Sequence, residues 1–215
     1  MKKIGIIGSG VVGKTLAKGF LQYGYDTTIA SRSTEKRLEL QAELGNNIHV
    51  ADFASTAQNA DIVVLAVKGT KAKEALLICG LDNLHGKTII DATNPIADAA
   101  PQNGVLRYFS DINFSLMEDL QTTIPNAHFV KAFSCVGSAF MVNPSFDGQK
   151  PSMFICGNDD GAKQDVADIL TQFGWDIEDM GKAEAARAIE PLAMLWCIPG
   201  MLQGKWSHAF KLLKK

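Results

Sequence analysis

Short apolar runs alternate along the chain with amphipathic stretches. The runs Ile4–Ile7, Thr27–Ala30, Ile48–Val50, Ile62–Val67, Thr88–Asp91, His128–Ala132, Met153–Cys156 and Trp175–Asp179 are rich in Val and Ile, and they predict eight β-strands. Several lack polar alternation, the pattern of parallel strands covered on both faces. Between the first two, Val12, Leu16, Phe20 and Tyr23 recur every three or four residues, while Lys14, Lys18 and Gln22 fall opposite. This spacing predicts a helix lying on the sheet. Helical spacing returns at Glu35–Leu44, Lys71–Ile78, Leu116–Thr122 and Ala162–Phe173, each followed by Gly, Pro or Asn.

Strand and helix in alternation give an α/β fold, a doubly wound and mainly parallel sheet. A C-terminal helical segment, 183–213, follows, which Pro199-Gly200 should kink or interrupt. Ala97–Asn113, rich in Ala, Asp, Asn, Pro and Gly, reads as a long central loop, and loops beyond ~12 residues are often functional.

At 215 residues and 47% hydrophobic, the chain suits one domain spanning 1–215. A net charge of −2 with scattered Lys and Arg argues against a nucleic-acid partner. Cys79, Cys135, Cys156 and Cys197 stand far apart without ligand spacing, so reduced thiols and no metal are expected. The apolar start is too short and Gly-interrupted for a signal peptide, and the run from Pro191 to Leu202 falls below the ~20 residues of a membrane span. A soluble cytoplasmic protein without a membrane partner is the expectation.

Gly8-Ser9-Gly10-Val11-Val12-Gly13 is a G-x-G-x-x-G string directly between an apolar strand and an amphipathic helix. In a Rossmann-type fold, these glycines allow a tight turn, close approach of a pyrophosphate, and helix–strand packing. Free N–H groups and the helix dipole then hold the anion. The same segment, Gly8 through Gly13-Lys14-Thr15, also satisfies the P-loop pattern, with Asp91 as the Mg²⁺ carboxylate such a site would need. A P-loop nucleotidase is therefore the rival reading. The end of the second strand favours the dinucleotide. An NAD site places Asp or Glu there, whereas this chain has Ser31-Arg32, with Lys36 one turn on. A guanidinium, an ammonium and neutral hydroxyls suit the 2′-phosphate of NADP. Ser31 or Ser33 could equally cap the next helix.

Gly8–Gly13, Ser31-Arg32-Ser33, Gly86–Pro95 with its Asp-Ala-Thr-Asn-Pro, Val130-Lys131-Ala132-Phe133 and Ile189-Glu190-Pro191-Leu192 together resemble the NADP oxidoreductases dependent on the deazaflavin coenzyme F420. The resemblance covers nearly the whole chain. It implies a Rossmann domain with a C-terminal helical part, and hydride transfer between NADP and a flavin-like partner such as coenzyme F420, FMN or FAD. It places Gly8, Ser9, Gly10, Val11, Val12 and Gly13 on the pyrophosphate and Ser31, Arg32 and Lys36 on the 2′-phosphate. Ala66, Val67, Asn94 and Pro95 then line the nicotinamide side, and Phe133 and Ser134 lie where the second cofactor sits.

Hydride exchange between two redox cofactors draws its chemistry from the cofactors, so no catalytic side chain is expected. His49, His85, His128 and His208, with no evident carboxylate partner, read as surface or packing residues. Arg187 and Glu190 read as an intrahelical ion pair or a pocket edge. Phe133, Met194, Trp196 and Met201 could wall a flavin-like ring or serve as core and dimer contact, and the apolar C-terminal segment suggests a homodimer. A non-enzymatic NADP sensor remains a third reading.

Overall fold

The computed structural model describes residues 2–215. Its strands are β1 (Lys3–Ile7), β2 (Asp26–Ala30), β3 (His49–Ala51), β4 (Ile62–Leu65), β5 (Thr88–Asp91), β6 (His128–Lys131), β7 (Ser152–Gly157) and β8 (Asp176–Asp179). The helices are α1 (Val11–Gln22), α2 (Thr34–Leu44), α3 (Phe53–Asn59), α4 (Ala72–Cys79), α5 (Leu116–Thr123), α6 (Asp160–Gln172), α7 (Ala186–Ile189) and α8 (Pro191–Gln203). The strands form one sheet in the order β3-β2-β1-β4-β5-β6-β7-β8. The first six run parallel, β7 turns antiparallel to β6, and β8 follows β7 in parallel. This is a Rossmann-like, doubly wound sheet, and its strand order reverses between β1 and β4, where such sheets bind ligands.

Side-chain alternation sends the two faces of each strand into separate cores. Ile4, Ile6, Ile29, Val64 and Ile90 pack beneath α1 and α6 with Leu16, Phe20, Val166 and Leu170. Ile7, Val63, Leu65 and Ile89 pack on the other face with Ala57, Leu76 and Leu120 from α3, α4 and α5. Each fully buried side chain of this size contributes roughly 1.5–3 kcal/mol.

The register aligns the strand ends. Ile7 pairs with both Ala30 and Leu65, Leu65 with Asp91, and Asp91 with Lys131. Gly8, Ser31, Ala66, Ala92 and Ala132 therefore leave the sheet along one edge, and that edge carries the site.

Two elements differ from the sequence expectation. Helix α3 has no apolar repeat long enough to announce it; the Asp52 side chain caps it by accepting the Ser55 N–H at 2.8 Å. The C-terminal segment is not helical to residue 213. It breaks into a 3-10 turn at Ala183–Ala185, α7 and α8, and α8 passes through Pro199 before Gly204 ends it in the left-handed region at φ +68°. Beyond it the chain folds back, and the Trp206 ring occupies the space a Cβ on Gly200 would need, at 2.2 Å. Trp196 Nε1 then donates to the His208 carbonyl at 2.8 Å, and the His208 and Trp196 rings stack. Among the described residues, no helix is long and apolar enough to cross a membrane.

Candidate functional site

The turn after β1 is built by sterics. Gly8 sits at φ +123°, and a Cβ there would lie 2.3 Å from the Ala66 carbonyl oxygen. A Cβ on Gly13 would lie 2.0 Å from the Gly8 carbonyl, so α1 can approach β1 only through glycine. Gly10 differs, because nothing stands within 4 Å of its Cβ position. It is the N-cap of α1, no side chain caps the helix, and no acidic residue occupies the first turn. The uncapped N–H groups and the positive end of the helix thus face open space beside Gly10.

That space is a cavity of about 770 Å³. Gly8, Ser9 and Gly10 form its floor; Ser31, Arg32, Ser33 and Lys36 line it from the end of β2, and Ala66, Val67 and Lys68 from the end of β4. Phe53 and, from the α4 side, Lys71, Glu74, Ala75 and Ile78 complete it. Ser33 caps α2, its Oγ accepting the Lys36 N–H at 3.2 Å. Ser31 is buried, and Arg32 is 61% exposed at the side chain. The turn that presents them is held by Arg37, which donates to the carbonyls of Ser31 and Arg32 at 3.2 Å each. Arg37 was not singled out from sequence, where it reads as one more charge on α2.

A carboxylate also stands there, contrary to the reading of β2 alone. Glu74 reaches in from α4 and pairs with Lys71 at 3.0 Å and Arg32 at 3.3 Å. The bond from Lys71, then the Arg32 charge, hold its carboxyl below the usual range. Lys71 and Glu74 stand three residues apart, and only the fold brings Arg32 to them, from 42 positions before Glu74.

Other expected site residues lie off this cavity. Val11 is exposed, Val12 is half-buried against the core, and Gly13 is buried. The backbone of Asn94 packs against Gly69, where a Cβ would lie 2.0 Å from the Asn94 carbonyl, so the segments after β4 and β5 adjoin. Pro95, Phe133 and Ser134 are buried, and Phe133 turns the chain at φ +65°. Asn94 Oδ1 and Ser134 Oγ are buried without a hydrogen-bond partner. The four residues read as an apolar wall or as core and dimer contact stand in different surroundings. Phe133 is in the core, Trp196 packs on Trp206 and His208, Met194 borders a separate 240 Å³ cavity, and Met201 is exposed.

Beside the strand ends lies an ionic cluster that sequence reasoning missed. Lys131 Nζ is 2.7 Å from Asp91 Oδ2 and 2.9 Å from Glu190 Oε1, and donates to the Thr93 carbonyl at 2.9 Å. Asp91 accepts from the Thr93 N–H and hydroxyl at 2.9 and 2.6 Å. Glu190 accepts the Leu116 and Met117 N–H groups at the start of α5, both at 3.0 Å. Burial works to lower the Lys131 pKa, but the Asp91 and Glu190 charges outweigh it and leave the ammonium favoured. Glu190 is therefore not the partner of Arg187. Arg187 pairs with Glu118 on α5 at 2.5 Å, which holds the Glu118 carboxyl below its usual range.

The structure also removes the supports of the P-loop reading. Lys14 pairs with Glu43 at 2.5 Å and does not line the cavity, and Asp91 is fully buried against Lys131. The thiols are free, and burial pushes Cys135 and Cys156 up to about 12. Of the histidines, His49 and His128 have carboxylates nearby after all, Asp26 at 3.8 Å and Asp159 at 3.7 Å, both in exposed settings.

Residues 3–95 match the family model of NADP oxidoreductases, coenzyme F420-dependent. A crystal structure from Arthrobacter sp. FB24, provisionally described as an F420-dependent NADP-reductase, superposes with a TM-score of 0.92 at 31% identity, covering 100% of both chains. The chain belongs to this family. Its members are NAD(P)-dependent oxidoreductases on a Rossmann-like fold. Two curated relatives are longer. The chain is 35% identical to the NADPH-dependent reductive aminase of Aspergillus oryzae over 99% of its own length and 64% of the relative's. It is 27% identical to the metalloreductase STEAP3 of Rattus norvegicus over 93% of its length and 39% of the relative's. It thus spans less than two thirds of these relatives.

Proposed function

We propose that residues 1–215 form a single NADP-binding domain that passes hydride between NADP(H) and a flavin or deazaflavin acceptor of the coenzyme F420, FMN or FAD class. The observation that carries this reading is the cavity at the switch point, with an uncapped helix N-terminus at one side and the cations Arg32, Lys36 and Lys71 at the other. It fits a dinucleotide with an extra phosphate. The Gly10 gap admits a pyrophosphate to the first-turn N–H groups, Ser9 and Gly8 shape the floor, and Ser31, Arg32 and Lys36 supply donors for the 2′-phosphate.

When bound, the nicotinamide supplies the hydride. The protein's own share is placement and exclusion of water. Ala66, Val67, Asn94 and Pro95 form the nicotinamide side, with Phe133 and Ser134 beyond it at the end of β6. The unpartnered oxygens of Asn94 and Ser134 support a polar ligand edge there, since buried oxygens ordinarily have a donor. Exchange between two redox rings requires no general acid, so this reading assigns no catalytic side chain.

The same reading takes the protein as a cytoplasmic homodimer through α8, whose Leu195, Met201 and Leu202 are exposed. Sedimentation velocity tests the dimer. The activity is tested by calorimetric titration with NADPH and NADH, then stopped-flow mixing of bound NADPH with coenzyme F420, FMN and FAD. Preferential NADPH binding and oxidation by one of these acceptors are expected. Binding with no acceptor faster than free NADPH would replace the reading with that of an NADP-binding module.

A further inference from the structure

We propose that Glu74 sets how strongly this cavity discriminates NADPH from NADH, by competing with the 2′-phosphate for Arg32 and Lys71 and by offering a carboxylate to an unmodified ribose. The inference rests on the proposed function and concerns the same cavity.

Among the described residues, Glu74 is the one acidic side chain lining the cavity, beside the cations Arg32, Lys36, Lys68 and Lys71. Two of those neighbours are already engaged by it, Lys71 Nζ at 3.0 Å and Arg32 Nη1 at 3.3 Å. A 2′-phosphomonoester carries close to two negative charges and is met best by the same guanidinium. It must therefore draw Arg32 away from Glu74 and then stand near that carboxylate, where like charges repel. NADH brings no such charge. Its 2′-hydroxyl is a donor, and NAD sites meet it with an acid at the end of the second strand. Here that position holds Ser31-Arg32, so the acid comes from α4 instead. Glu74 thus repels the phosphate and holds back the cations that would meet it, and the observed ion pairs are its resting arrangement.

Both partners are about half exposed, so the effect is moderate. Glu74→Gln keeps the shape and removes the charge. NADPH should bind about three- to tenfold more tightly to this variant at low ionic strength, with the gain shrinking as salt is added, while NADH stays equal or weakens. The gain should disappear in an Arg32→Ala background, because the two residues act on one phosphate. The experiment is calorimetric titration of both nucleotides into the native protein, Glu74→Gln, Arg32→Ala and the double variant. A NADPH-to-NADH affinity ratio in Glu74→Gln within twofold of native overturns the inference alone. If native protein binds neither nucleotide, the proposed function falls and takes this inference with it.

Discussion

Lys131 on β6 and Glu190 before α8 meet at 2.9 Å with both side chains buried, 59 positions apart in the chain. Asp91 completes the cluster on the neighbouring strand, since the β5–β6 register places it directly opposite Lys131. One ammonium thereby ties the sheet to the turn at Thr93, and through Glu190 to the start of α5. Buried ion pairs are costly to break from one side, because the remaining charge has nowhere to go.

Lys131→Met should therefore be severe, leaving Asp91 and Glu190 facing each other without a cation, at a loss of about 3–5 kcal/mol. Glu190→Gln should be milder, about 1–3 kcal/mol, because Lys131 keeps Asp91 and the amide oxygen still accepts. Urea denaturation at constant slope ranks the two. Equal losses would mean that the Glu190 charge matters as much to the cluster as Lys131 does, against the central role assigned to the ammonium.

The strands were legible because buried parallel strands are apolar runs bounded by turns, as Ile62–Leu65 and Thr88–Asp91 show. Helix α3 was not, since Phe-Ala-Ser-Thr-Ala-Gln-Asn is short and half polar, and its cap carries much of the signal. The glycine turn and Ser31-Arg32 were readable as local chemistry. Glu74 and Glu190 were not, because a helical spacing says which face a residue is on but not what tertiary neighbour it meets. A signal for Lys131 did exist. A lysine ending the run Phe129-Val130-Lys131-Ala132 needs a carboxylate if that strand is buried, and Asp91 ends the strand that precedes it in the chain.

Arg32→Ala should weaken NADPH binding by about 1.5 kcal/mol, roughly tenfold, with NADH changed little, because an exposed guanidinium makes charge-assisted bonds at the lower end of their range. Fluorescence titration of both nucleotides reads the ratio. Equal weakening would place Arg32 outside the 2′-phosphate contact.

Glu118 carries an acid-dependent share of stability. Its folded pKa is lowered, chiefly by the Arg187 bond, so its contribution is present above the ordinary glutamate value and is lost as pH falls through the folded one. Native protein should lose more stability than Glu118→Gln on acidification from about pH 5 to pH 3. Thermal melts across that interval test the difference, and parallel curves would show the pair to be energetically silent.

The second and third glycines of the turn, Gly10 and Gly13, should separate folding from binding. A Cβ on Gly13 meets the Gly8 carbonyl oxygen at 2.0 Å, and neither atom belongs to a flexible side chain, so the backbone of β1 or α1 must shift. Gly13→Ala should accordingly unfold at markedly lower denaturant, a loss of several kcal/mol as expected of overpacking against backbone. Gly10 has φ −77°, which any residue adopts, and nothing stands within 4 Å of its Cβ position. Gly10→Ala should leave the melting temperature near native. Its new methyl projects into the cavity that we assign to the pyrophosphate, so NADPH and NADH should weaken together, whereas the Arg32 change affects NADPH alone. Melting curves and paired nucleotide titrations on Gly10→Ala decide the matter. A variant that melts normally and binds both nucleotides as tightly as native protein would move the pyrophosphate away from Gly10, and with it the phosphate end of the proposed site.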